Sequence, residues 1–239
     1  MKSRLTVLIL LLLSLFPAMA GCGFAAIPAS AGADDLPVFV IDAGHGGEDG
    51  GAVSTDGKTI EKDINLQIAL KVRDLLAAYG LKTVMTRTDD RSIHDDTAKT
   101  VRQKKVSDIH NRLDLLEGYD NAVLVSIHQN KFSESQSKGT QVFFSPNNPQ
   151  SQILADEIQG AVRNLLQNDN SRLTKKSGSS IYILYNATKP AVMVECGFLS
   201  NPADTKSLKQ EDYQRRLAFS IVAGILNYMN IKTDEQAQE

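Results

Sequence analysis

Two histidines and two glutamates stand where a hydrolytic metal site could be assembled. His45 lies in Asp42-Ala43-Gly44-His45-Gly46-Gly47, directly after the apolar run Val38–Ile41. His128 lies in Ser126-Ile127-His128-Gln129-Asn130, directly after Ala122–Ile127, and Glu195 follows Ala191–Val194. Each run reads as a strand, so three chemically competent side chains sit at carboxyl ends of strands, where open α/β sheets place their ligands. Glu61 joins them from the start of the first helix, across the glycine-rich turn Gly44–Gly57. Two imidazoles and a carboxylate suit a catalytic zinc ion, which keeps a fourth position open for water and lowers that water's pKa to ~7. An unligated carboxylate must then take the water's proton and pass it to the leaving amine. Glu195 is the candidate for that task, and amide hydrolysis is the reaction the set fits best.

Blander readings exist for each residue. His45 could be a polar residue in a flexible turn, Glu61 a first-turn carboxylate favoured by the positive helix end, and His128 and Glu195 solvated strand termini. Together they would require four coincidences, three of them at strand ends. His94 falls in a polar loop and His110 within a helix, so both read as surface or packing residues. The cluster Gly44–Gly51 fails as a dinucleotide turn, because Asp49 occupies the third glycine position and no helix opens at once. Its glycines are expected to allow left-handed backbone and close approach of substrate beside the metal. Arg87, at the end of a strand, could meet a peptide carboxylate or be a solvated charge. Asn130 could touch substrate or support a ligand, and Cys196 reads as a small buried hydrophobe.

Such residues need a sheet to position them. Strands are expected at Val38–Ile41, Leu81–Met85, Ala122–Ile127, Thr140–Phe144, Ser179–Leu184 and Ala191–Val194. Ile64, Ile68, Val72, Leu75, Leu76 and Tyr79 recur at helical spacing before Gly80, and further helices are expected at Lys99–Glu117, Ser151–Leu166 and Tyr213–Met229. This alternation implies an α/β domain with a mostly parallel sheet covered on both faces. At 239 residues, 42% apolar and 23% charged, the chain fits one globular domain. A net charge of −2 without a basic block argues against nucleic acid as a partner. Two cysteines build neither a disulfide framework nor a zinc knuckle.

The N-terminus reads as an address. Lys2 and Arg4 precede the apolar run Leu5–Leu13, and Pro17-Ala18-Met19-Ala20 follows as an A-x-A-like cleavage site. The run falls short of the ~20 residues of a transmembrane span. Met19-Ala20-Gly21-Cys22 offers lipidation of Cys22 as an alternative. Residues 1–22 are therefore expected to be a signal peptide or a membrane or lipid anchor, 23–35 a linker, 36–231 the catalytic domain and 232–239 a mobile tail. The domain is expected outside the cytoplasm.

Four segments together resemble a known family. Asp42–Gly47, Glu61-Lys62-Asp63-Ile64-Asn65, Ser126–Asn130 and Val194-Glu195-Cys196-Gly197-Phe198-Leu199-Ser200-Asn201 are similar, in order and spacing, to the zinc-dependent N-acetylmuramoyl-L-alanine amidases of bacterial walls. The resemblance implies one zinc ion held by His45, Glu61 and His128, with Glu195 as catalytic acid/base. It implies a mixed sheet of about six strands, and cleavage of the amide between N-acetylmuramic acid and the L-alanine of the stem peptide. Met85-Thr86-Arg87, Asn186–Pro190 and Gly197–Pro202 look most like the germination-specific, spore-cortex branch, where the reaction prepares muramic-δ-lactam. Peptidoglycan or its cortex form is then the substrate, and a helper lipoprotein is an expected partner. Ser145–Gln150 joins a strand straight to a helix, leaving no room for the inhibitory helix of division-type relatives. Lys131 stands where alanine is common. The rival readings are another zinc peptidase, such as a carboxypeptidase, and a non-catalytic wall-binding protein.

Overall fold

The computed structural model describes residues 36–236, and the expected signal or anchor and its linker lie outside them. Six strands, β1 (Val38–Ala43), β2 (Thr83–Met85), β3 (Ala122–Asn130), β4 (Gln141–Phe144), β5 (Lys175–Lys176) and β6 (Ala191–Phe198), form one sheet in the order β2-β1-β3-β6-β4-β5. β2, β1, β3 and β6 run parallel, whereas β4 pairs antiparallel with β6 and parallel with β5. The sheet is thus mixed and mostly parallel, as expected. The helices are α1 (Glu61–Ala78), α2 (Val101–Glu117), α3 (Gln150–Leu165), α4 (Tyr182–Asn186), α5 (Pro202–Leu208) and α6 (Glu211–Gln236).

Alternation along the strands divides the core in two. Phe39, Ile41, Val123, Val125, Val192 and Val194 point to the face covered by α1, α3 and α6, where Ile68, Val72, Ile158 and Ile221 are wholly buried. Val40, Leu124, Ala191 and Met193 point to the opposite face, beneath α2 and α4. That second face is thinly covered, and its polar continuation at the carboxyl ends of the strands carries Asp42, Ser126, His128 and Glu195.

Several expectations shift. β3 and β6 run past their apolar stretches, so His128 and Glu195 lie inside strands rather than beyond their ends. Ser179–Leu184, expected as a strand, instead leads into α4. Ile183, Leu184 and Ala187 there turn into one core patch, which a strand's alternation could not achieve. α5 begins at Asn201-Pro202, with the Asn201 side chain capping the amides of Ala203 and Asp204. α6 continues to Gln236, into the segment expected as a tail. β4 ends at Phe144 and α3 starts at Gln150, so the short connection between them is as expected.

Candidate metal centre

The structure brings His45, Glu61 and His128 together, with one potential ligand atom from each lying within 4.8 Å of the others. Glu61 Oε1 is 3.3 Å from His45 Nε2 and 3.0 Å from His128 Nδ1. The two imidazoles meet edge to face, their ring centres 4.9 Å apart. Two nitrogens and a buried carboxylate facing one point are the donor chemistry of a zinc-type cation, and the residues present fit such an ion.

Local structure explains the convergence. α1 starts without a side-chain cap, because the amides of Glu61 and Lys62 donate to the carbonyls of Ala52 and Gly50 in the glycine-rich loop. Glu61 is thereby freed to turn inward, where it is 3% exposed. Its Oε2 accepts the Ala52 amide at 2.7 Å and its Oε1 the Gln129 amide at 3.1 Å. His45 adopts a left-handed backbone, φ 62°, uncommon for a residue with a Cβ. The surroundings must therefore over-determine its conformation.

Two buried arginines do so. Arg87 donates from Nε to the Ala43 carbonyl and from Nη2 to those of Gly44 and Lys62. Arg112 donates from Nη1 to Ala43 and from Nη2, at 2.8 Å, to His45 itself. The three successive carbonyls of the turn that carries His45 are thus all held by guanidinium groups. Arg112 is in turn paired with Asp42 and Asp108. Burial is the largest single influence on Asp42 and raises its pKa, but the Arg112 charge, His128 and the Ser126 hydroxyl together outweigh it and hold it down at about 2. Arg87 is 1% exposed, which corrects both expectations for it: it is neither a solvated charge nor a receptor for a peptide carboxylate.

The glycines also act differently from expectation. A Cβ on Gly44 would lie 2.1 Å from the His128 ring, and one on Gly51 2.5 Å from Glu61 Oε2. Their smallness admits the ligand side chains themselves, rather than substrate. Further supporting groups, not identifiable from sequence alone, now have names. Asp49 accepts a hydrogen bond from His45 Nδ1 at 2.9 Å, leaving Nε2 for a metal. Asn65 donates to Glu61 Oε1 and to the Gly44 carbonyl, and receives Gln129 Nε2 on its own oxygen. The i,i+4 spacing of Glu61 and Asn65 was a usable signal for this pair. Asn130 caps the next amide, Lys131, rather than any ligand. His94 bonds Ser92 and His110 stacks on Tyr182, both away from the centre.

Charge follows the geometry. Burial disfavours ionised Glu61, yet the adjoining imidazoles overcome it and hold the carboxyl far below the usual range. Burial likewise opposes a charged His45, but Asp49 and Glu61 raise it to about 9. Glu195 sits opposite His128 in the β3–β6 register. Burial raises its pKa to about 7, with His128 pulling down and Glu61 pushing up. Its Oε2 is buried with no hydrogen-bond partner among the described residues, although it is a strong acceptor when ionised. Cys196 is fully buried, its side chain hydrogen-bonded to the Val194 carbonyl, as expected for a packing residue.

An α/β sheet whose carboxyl edge carries two imidazoles, a ligand carboxylate and a second unpartnered carboxylate defines a metal-dependent hydrolase. Comparison with known proteins narrows the class: the profile of the N-acetylmuramoyl-L-alanine amidase family matches residues 39–227, and the chain belongs to that family. The germination-specific N-acetylmuramoyl-L-alanine amidase of Bacillus subtilis is 36% identical over 197 residues, covering 82% of this chain and 81% of the relative. YqiI of the same organism is 33% identical over 220 residues, covering 90% and 97%. Among solved structures, the CwlD amidase of Clostridioides difficile, in complex with the GerS lipoprotein, superposes with a TM-score of 0.78 at 38% identity, covering 82% of this chain and 99% of that one. The catalytic domain of CwlV from Bacillus (Paenibacillus) polymyxa gives 0.67 at 30% identity, with 82% and 99% covered.

Proposed function

We propose that this chain is a zinc amidase that cleaves the bond between the lactyl group of N-acetylmuramic acid and the first L-alanine of the stem peptide, in spore-cortex maturation. The observation that carries the proposal is the placement of Glu195. A carboxylate with a raised pKa and an unpartnered buried oxygen faces the cluster His45–Glu61–His128 from the neighbouring strand, inside an amidase fold. His45, Glu61 and His128 would hold the ion, which would polarise the scissile carbonyl and a water molecule. Glu195 takes the proton from that water and delivers it to the nitrogen of the leaving L-alanine. A pKa near the working pH suits a group that must both accept and donate. Asp49 orients His45, while Asn65 and the Gln129 amide fix the Glu61 carboxylate.

Similarity to the germination-specific amidase supports the cortex role, and similarity to the GerS-bound amidase supports a helper lipoprotein as partner. Both relatives fit an extracytoplasmic location. Among the described residues no helix is long and apolar enough to cross a membrane; residues 1–22 would serve as signal peptide or anchor, with lipidation of Cys22 as the alternative tether. The carboxypeptidase alternative needed an arginine at the metal for a terminal carboxylate, and Arg87 is engaged with backbone carbonyls instead. Incubating metal-loaded protein with purified muropeptides, with and without chelator, tests the proposal by mass spectrometry. Free peptides beginning with L-alanine are expected without chelator. Loss of terminal residues would point to a carboxypeptidase, and an unchanged spectrum to a wall-binding protein.

A further inference from the structure

We infer that Arg172 forms an anion subsite for the leaving stem peptide and selects substrates with a free carboxylate on the residue after L-alanine. This rests on the amidase reading above. The order of strands across the sheet sets the direction of the substrate. Of the three metal-site residues, His45 lies in the turn after β1, Glu61 opens α1 and His128 stands on β3; Glu195 is on β6 next to β3, and β4 lies beyond. Glu195 protonates the leaving nitrogen, so the acyl half lies over β1–β3 and the peptide continues over β6 towards β4.

Gln141 of β4 is the direct antiparallel partner of Glu195, so both side chains emerge on the same face. Arg172 donates from Nη1 to Gln141 Oε1 at 3.2 Å. Its Nε donates to the Lys138 carbonyl at 2.7 Å, and its guanidinium carbon lies 4.4 Å from the centre of the Phe198 ring. Phe198 aligns with Asn130 across a register shift in β3–β6, which places it beside the reactive end of the sheet. The guanidinium is therefore held flat by neutral partners, and no carboxylate among the described residues pairs with it. An immobilised planar fork with no carboxylate in ion-pair contact is matched to an incoming carboxylate.

The spacing is consistent. Adjacent strands are ~4.8 Å apart, and two extended residues reach ~7 Å. The scissile nitrogen over Glu195 thus puts the second peptide residue near the Gln141–Arg172 pair. In peptidoglycan that residue is a γ-linked glutamate whose α-carboxyl is either free or amidated, so Arg172 faces the position where the charge varies.

The test compares two muropeptides that differ only there, one with the α-carboxylate and one with the carboxamide. The parent enzyme is expected to show about tenfold higher kcat/KM for the acid, mainly through KM. Arg172→Met should bring the ratio close to one, and Arg172→Lys should retain part of it. The dissociation constant of the released acidic peptide, measured by calorimetry on metal-loaded protein, should rise about tenfold in Arg172→Met. A purely structural role would lower both rates together and leave the ratio intact. A parent ratio near one, or a ratio unchanged in Arg172→Met, would overturn the inference while leaving the amidase in place. Cleavage of neither muropeptide would remove the amidase reading itself.

Discussion

Glu195 and Gly44 show how single side chains decide the chemistry. The Glu195 carboxylate can serve as proton shuttle because burial raises its pKa to about 7 and no group among the described residues satisfies its Oε2. Glu195→Gln keeps the shape and removes the proton transfer, so metal content should stay at the parent level while kcat falls by ~10²–10⁴. The sign of the pH dependence follows from the direction of the shift. Below its pKa the group is protonated and cannot accept a proton, so parent kcat/KM should fall as pH drops, with a midpoint no higher than about 7. A cation at the three ligands can only lower that midpoint, since positive charge favours the carboxylate. Loss of this acid limb in the residual activity of Glu195→Gln is the check, and its persistence would assign the limb elsewhere. Gly44 is decided by space: its absent Cβ would intrude to 2.1 Å from the His128 ring. Gly44→Ala should therefore weaken metal affinity in a chelator competition while far-UV circular dichroism stays near the parent.

At the scale of elements, the centre depends on a turn that two arginines hold from behind. Arg112 reaches from α2 to the carbonyls of Ala43 and His45 and pairs with Asp42, both partners being about 2% exposed. Removing one partner of a buried pair strands the other charge, at a typical cost of 3–5 kcal/mol. Arg112→Met should lower the urea midpoint accordingly, and adding Asp42→Asn to it should cost less than the sum of the single changes. Additive losses would show the pair to be uncoupled. These elements also mark what the sequence could and could not disclose. The four catalytic candidates were legible because each sits beside a long apolar run or a glycine turn, features with strong local signals. Arg87 and Arg112 were not, since the partners that draw these charges into the interior, the Ala43 carbonyl and Asp42, lie 44 and 70 positions away. β5 is two lysines with no apolar pattern, defined by its pairing to β4. The Ile181–Tyr185 stretch has the β-branched and aromatic make-up of a strand, and its packing against Leu116 and Leu124 turned it into a helix instead.

Taken as a whole molecule, the domain divides its labour between the two faces of one sheet. The face under α1, α3 and α6 is a continuous apolar core, and the face under α2 and α4 becomes polar towards the carboxyl ends of the strands. Amphipathic periodicity predicted that both faces would be covered, but not that the cover would be uneven. The uneven cover leaves His128 and Glu195 on the polar end of the second face. It also means that the reactive centre is held by loops and buried charges rather than by apolar packing, so its integrity should follow its metal. The most direct test is metal stoichiometry by mass spectrometry on purified, zinc-equilibrated protein. The account predicts one zinc per chain in the parent and in Glu195→Gln, and well under one in His45→Ala, Glu61→Ala and His128→Ala. Full occupancy in those three variants would contradict it.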